Sequence, residues 1–126
     1  MSKMGHSRKI AGESKKKLNK DCEALWKVRV KSKGYCEKCG RTDKVLNAHH
    51  IYPKGRFMWH PLKWDVQNGL CLCFACHLHW AHQHPIEFTH WFEEKFPERA
   101  EYLHQRSLKI EKIDFHKALN ELGGTQ

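Results

Sequence analysis

The sequence predicts an α+β fold in which one small hairpin is clasped by helices. Two short apolar stretches, 45–51 and 69–73, each lie beside a C-x-x-C pair, Cys36/Cys39 and Cys73/Cys76. Before and after them, apolar residues recur at helical spacing, and Pro85 and Pro97 punctuate the second half. A chain of 126 residues makes one domain with a modest core, small enough for a structural metal to contribute much of its stability.

Residues 1–14 lack hydrophobic periodicity and contain Gly5, Ser7, Gly12 and Ser14, the pattern of a disordered basic arm. Over 15–32, Leu18, Cys22, Leu25, Trp26 and Arg29 share one face with lysines opposite, and Gly34 follows as a stop, so a basic amphipathic helix is expected. Cys36-Glu37-Lys38-Cys39-Gly40 forms a knuckle whose glycine permits the backbone turn. The segment 45–51 is a strand that delivers His49 and His50. Residues 52–68 are a long loop, with Lys54, Arg56 and Lys63 interleaved among Tyr52, Phe57, Trp59 and Trp64, a mixture suited to phosphate and sugar contacts. A second strand, 69–73, enters the second knuckle, and a helix starts over 76–82. Pro85 sits at the first position of the next helix with Glu87 near its positive end, Pro97 opens a further one, and an amphipathic segment over 110–122 ends at Gly123-Gly124.

Charge and cysteines bound the function. The formal net charge is +9, and residues 1–33 account for +8 of it, while 85–126 is slightly acidic. Such segregation is an electrostatic footprint for polyphosphate. No apolar run has membrane length, and the first thirty residues carry lysines where a secretory signal needs a hydrophobic segment, so a reducing cytoplasm is expected. In that compartment cysteines serve metals more than disulfides, and Cys36, Cys39, Cys73 and Cys76 match a closed tetrahedral zinc site. Cys22 and Cys71 are left as small buried apolar residues. The histidines remain for a second, open metal site. Adjacent strand residues point to opposite faces, so of His49 and His50 one can face an ion while the other faces a substrate water as a neutral imidazole base with a pKa near ambient pH. His77, after the second knuckle, can reach the same ion as His49.

The order strand, His-His, loop, Asn, strand, Cys-x-x-Cys-His, helix resembles the HNH endonucleases of the ββα-metal (His-Me finger) superfamily, in the zinc-containing form common in phage and bacterial genomes. Trp64-Asp65-Val66-Gln67-Asn68-Gly69 and Ala81-His82-Gln83 are similar to segments of small phage members. The resemblance covers 36–82 and implies a ββα-metal core within one nuclease domain over 15–126, with a helical extension at 85–122. It implies that His50 is the general base, that Asn68 hydrogen-bonds within the hairpin and holds that base, and that His49 and His77 ligate a catalytic divalent ion (Mg2+, Mn2+, Ni2+ or Zn2+). The third ligand is expected at His82, five residues after His77 where relatives use four, with His79 as the other candidate. Cys36, Cys39, Cys73 and Cys76 take the structural Zn2+ positions.

The expected function is hydrolysis of double-stranded DNA to 5′-phosphate and 3′-hydroxyl ends, by nicking or double-strand cleavage. The hairpin and helix dock at the minor groove, while Lys15, Lys16, Lys17, Lys54 and Arg56 track phosphates. With no separate recognition domain, weak specificity or dependence on a phage or host protein partner is expected, in the host cytoplasm for a phage-encoded chain. A non-catalytic zinc-ribbon-like module that binds nucleic acid would share the charge, cysteines and aromatics, but it has no need of His-His, Asn and Cys-x-x-Cys-His in this order. RNA as the substrate is compatible with the charge.

Overall fold

The computed structural model describes residues 2–123, with side chains from position 15 onward. Helix α1 spans Ser2–Lys31, strands β1 Leu46–His50 and β2 Gly69–Cys73 form a hairpin, a π-helix covers Ala75–Ala81, and helices α2 Pro85–Lys95, α3 Pro97–Ser107 and α4 Phe115–Glu121 follow. The fold is α+β, as the sequence predicts.

Strands β1 and β2 pair antiparallel with His49 opposite Leu70 and His50 opposite Gly69. Every residue of β2 is buried because helices cover both faces of the hairpin. Its side chains alternate accordingly. Leu70 and Leu72 join Leu62, Ala81, Phe88, Phe92 and Leu103 on the side of the π-helix, α2 and α3. Cys71 joins Cys22, Trp26, Val30, Trp64, Leu119 and Leu122 on the side of α1 and α4. Gly69 is required by this second layer. A Cβ there would stand 2.8 Å from Trp26 Cζ2 and closer still to Val30, so only glycine lets α1 lie against the end of the hairpin.

Two element boundaries differ from the sequence expectation. The helical backbone of α1 extends from Ser2 through the stretch read as an arm, consistent with propagation of a helix costing far less than its nucleation. At the other end, the segment 110–122 is helical only from Phe115. Asp114 accepts the Lys117 N–H at 3.1 Å as an N-cap, and Ile113 N–H instead bonds Trp59 O at 2.7 Å, which draws the preceding chain along the long loop and leaves Ile110 in solvent. That loop is itself ordered by turns at Pro61–Trp64 and Val66–Asn68. Asp65 is their hub. Its carboxylate accepts from Gln67 N, Tyr102 Oη and Arg106, and its carbonyl accepts from Trp26 Nε1 at 2.8 Å, joining α1 and α3 through the loop.

A candidate metal centre with two clusters of potential ligands

The knuckles bring Cys36, Cys39, Cys73 and Cys76 together with all four sulfurs within 4.8 Å of one another. Cys39 Sγ and Cys73 Sγ are 3.8 Å apart, close to the edge of about 3.8 Å in a tetrahedron of sulfurs each about 2.3 Å from zinc. All four are free thiols. Gly40 turns the first knuckle at φ 78°, and Cys39 N–H points at Cys36 Sγ at 3.5 Å. Burial opposes ionisation of Cys36, yet backbone N–H groups of Cys39, Cys73 and Lys38 pull its thiol below the usual value. Cys76 moves the other way, pushed up by burial and by the neighbouring sulfurs. Four crowded thiols lose their protons together only with a cation among them, and the donor set and spacing fit a structural zinc. Glu37, inside the first knuckle, is buried and accepts from Cys71 N–H at 2.8 Å and Lys33 at 2.6 Å, which fastens the knuckle to β2.

The alternation of β1 separates the paired histidines. His49 shares the Leu70 face and lies against Phe88, His77 and His82, with centroids 4.9, 5.2 and 5.3 Å away. One ring nitrogen from each of His49, His77 and His82 falls within a 4.8 Å cluster. The π-helix explains the spacing of five. His82 N–H donates to His77 O at 3.1 Å, so residues i and i+5 stand one turn apart where an α-helix would place i+4. His79 is elsewhere, exposed and packed on Phe74. His77 Nδ1 is buried with no hydrogen-bond partner among the described residues, as suits a nitrogen that coordinates an ion. Burial, reinforced by the neighbouring imidazoles, pushes His49 down to about 3, and burial lowers His77 as well, which favours the neutral imidazole, the form able to coordinate a cation.

His50 faces α1. Its ring stacks on Trp26 with centroids 3.9 Å apart, and Nε2 meets Lys63 O at 3.0 Å. A carbonyl only accepts, so Nε2 carries the proton and Nδ1 is the basic atom. Burial pushes this histidine down to about 4, with Lys54 and Lys63 adding to the effect and the Lys63 carbonyl and Glu23 opposing it. This corrects the expectation of a pKa near ambient pH: the imidazole is neutral but a weaker base. Asn68, fully buried, receives Tyr52 N–H at 2.8 Å and donates to Tyr52 O at 3.2 Å and Leu62 O at 3.1 Å. Tyr52 lies two residues after His50 and Leu62 one before Lys63, so one amide holds together the two segments whose contact fixes the His50 ring.

Residues 36–86 match the family model of HNH endonucleases. The HNH match begins at the first knuckle cysteine and covers the hairpin, the π-helix and the start of α2, leaving α1, α3 and α4 outside. The matched segment is thus similar to a nuclease-type domain, and nucleic acid is the substrate class which that family implies. Neither the curated proteins nor the solved structures include one similar enough to match. None of the described helices is long and apolar enough to cross a membrane.

The cations expected to track phosphates fall in two places around the HNH segment. Lys15, Lys16 and Lys54 line one cavity, and Lys17 is exposed on the same helix, whereas Arg56 lines a different groove toward α2 and α3. Lys54 is also 3.4 Å from Glu23. Four contributors were not singled out by sequence reasoning as site residues. Trp26 was placed on the apolar face of the first helix, Glu37 within the first knuckle and Lys63 among the loop cations, and Arg99 was not named. Arg99 bonds Glu37, the Gln67 carbonyl at 2.8 Å and the Gly69 carbonyl, bracketing Asn68 on both sides. Only the buried class of Trp26 had a signal, its position on the apolar face of α1.

Proposed function

We propose that this protein is a metal-dependent endonuclease that hydrolyses phosphodiester bonds of double-stranded DNA. His50 is the general base: Nδ1 takes a proton from the water whose oxygen bonds the scissile phosphorus as the bond to the 3′ oxygen breaks, leaving 5′-phosphate and 3′-hydroxyl ends. The Lys63 carbonyl and the Trp26 face keep Nδ1 the basic nitrogen and the ring in one orientation. Asn68 is a positioning residue, acting through Tyr52 and Leu62. His49, His77 and His82 would hold a divalent cation (Mg2+, Mn2+, Ni2+ or Zn2+), which when bound would supply neutralisation of the charge that develops during hydrolysis. Cys36, Cys39, Cys73 and Cys76 hold a structural zinc that fixes the base of the hairpin. Lys15, Lys16, Lys17, Lys54 and Arg56 bind the DNA backbone.

The observation that carries this reading is the pairing on one strand, inside the HNH match, of a ring-locked neutral His50 with a His49 that belongs to a three-histidine cluster. A module that only coats nucleic acid has no use for either. Supercoiled plasmid incubated with the zinc-loaded protein and a panel of divalent ions tests it. Ion-dependent nicking or linearisation is expected, and intact plasmid with every ion contradicts it.

A further inference from the structure

On the α1 side of the hairpin, away from the histidine cluster, a cavity of about 380 Å3 opens between α1 and the long loop. That volume is within the range of roughly 300–1,000 Å3 typical of small-ligand sites. Its walls carry Lys15, Lys16, Lys54 and Lys63 against a single carboxylate, Glu23, which is already shared by Lys27 at 3.6 Å and Lys54 at 3.4 Å. Lys63 is the unusual member. It is only 7 % exposed, its Nζ donates to the neutral Asn19 Oδ1 at 3.2 Å and lies 4.7 Å from the Trp64 ring centroid, and no described carboxylate pairs with it. Glu23 attracts this ammonium only from beyond ion-pair distance and is itself engaged by Lys27 and Lys54, so burial, with Lys54 nearby, still lowers the Lys63 pKa and the charge is under-compensated, which is costly. An anion entering the cavity would offset that cost. The cavity also has an aromatic wall. Trp59 is 58 % exposed, and Met58 beside it is also exposed. An indole open to solvent next to ammonium groups suits a sugar or base attached to its phosphate. The cavity adjoins the base histidine, because the carbonyl of Lys63 itself receives His50 Nε2.

We infer that this cavity is a nucleotide subsite, in which Lys63, assisted by Lys54, takes a phosphodiester neighbouring the scissile one while Trp59 carries the attached sugar or base. The inference rests on the nuclease reading of His50 and adds a discrete phosphate contact to the diffuse attraction of the surface lysines. A buried cation in a concave site fixes the register of the strand. Lysines on an open helix face do not.

The test reads binding apart from cleavage. Full-length, zinc-loaded protein carrying His50→Ala is titrated with a fluorescein-labelled DNA duplex over a salt series, alone and with Lys63→Met or Trp59→Ala added. Lys63→Met should weaken binding about tenfold and make the slope of log affinity against log salt shallower by about one unit. Trp59→Ala should weaken it about fivefold with the slope unchanged. Parent-like affinity and slope in Lys63→Met overturns the subsite. Should Lys63→Met fail to fold, Trp59 is exposed enough to truncate without touching the core, and parent-like binding by Trp59→Ala overturns it equally. A protein that binds with this dependence yet never cuts DNA with His50 intact would refute the nuclease reading and leave the subsite standing. One that cuts DNA while both variants bind like the parent refutes the subsite alone.

Discussion

His50 lies flat on Trp26, with ring centroids 3.9 Å apart and planes inclined by 16°. The contact joins a strand end to α1, an element outside the HNH match, and it is possible only because the cross-strand neighbour of His50 is Gly69. With Nε2 held by the Lys63 carbonyl, the ring has one orientation and one tautomer.

Trp26→Phe should therefore affect turnover more than affinity. It removes the bond from Nε1 to Asp65 O and part of the platform under His50, at a stability cost of about 1–2 kcal/mol. Denaturant melts should register that modest loss, while steady-state cleavage shows kcat falling with KM little changed.

Asn68→Ala should be more damaging to stability. Its amide makes three buried or part-buried hydrogen bonds, and truncation strips the Tyr52 N–H and carbonyl of this partner and leaves the Leu62 carbonyl with the Asp65 N–H alone, a loss on the order of 3 kcal/mol. A lowered denaturation midpoint together with lost cleavage is expected. Parent-like stability would mean the loop is held by Arg99 and Asp65 without it.

The sulfur cluster predicts a tightly held metal. Protein dialysed against a weak chelator should keep about one zinc per chain, since closed thiolate sites contribute roughly 10–16 kcal/mol of apparent binding energy at neutral pH. Cys39→Ser and Cys73→Ser should be unfolded or insoluble. Elemental analysis and circular dichroism check this, and a variant that folds like the parent with its metal retained contradicts the site.

Backbone attraction should follow α1. Replacing Lys15, Lys16 and Lys17 together with alanine should leave the fold intact, because all three are exposed, and reduce the salt slope of DNA binding by up to about three units. Fluorescence anisotropy at several salt concentrations measures it, and an unchanged slope would assign these lysines to solubility alone.

Legibility from sequence followed the range of the interaction. The knuckles, the hairpin and the opposite faces of His49 and His50 are written in local spacing, three positions for paired sulfurs and period two for strands. The third member of the histidine cluster was expected at His82 through the family resemblance, with His79 as the other candidate. The π turn that brings His82 over His77 adds one residue to a helical repeat, which periodicity does not announce. The supports were hidden altogether. Trp26 meets His50 across 24 positions and Arg99 reaches Glu37 across 62, and each residue reads locally as an ordinary helix face. The start of α4 was overrun because Ile110 continues its apolar pattern, while the Asp114 cap and the Trp59 carbonyl decide the boundary.

Plasmid cleavage by His50→Ala, His49→Ala and His77→Ala across a manganese or nickel titration tests the division of roles most directly. A lost ligand is partly replaced by water and recovered by mass action, whereas a lost base has no substitute at neutral pH unless a small amine is supplied. His49→Ala and His77→Ala should regain part of their activity at high metal, and His50→Ala should stay inactive at every metal concentration while binding DNA nearly as the parent does. Full activity in His50→Ala, or its rescue by metal where His49→Ala is not rescued, would contradict the account.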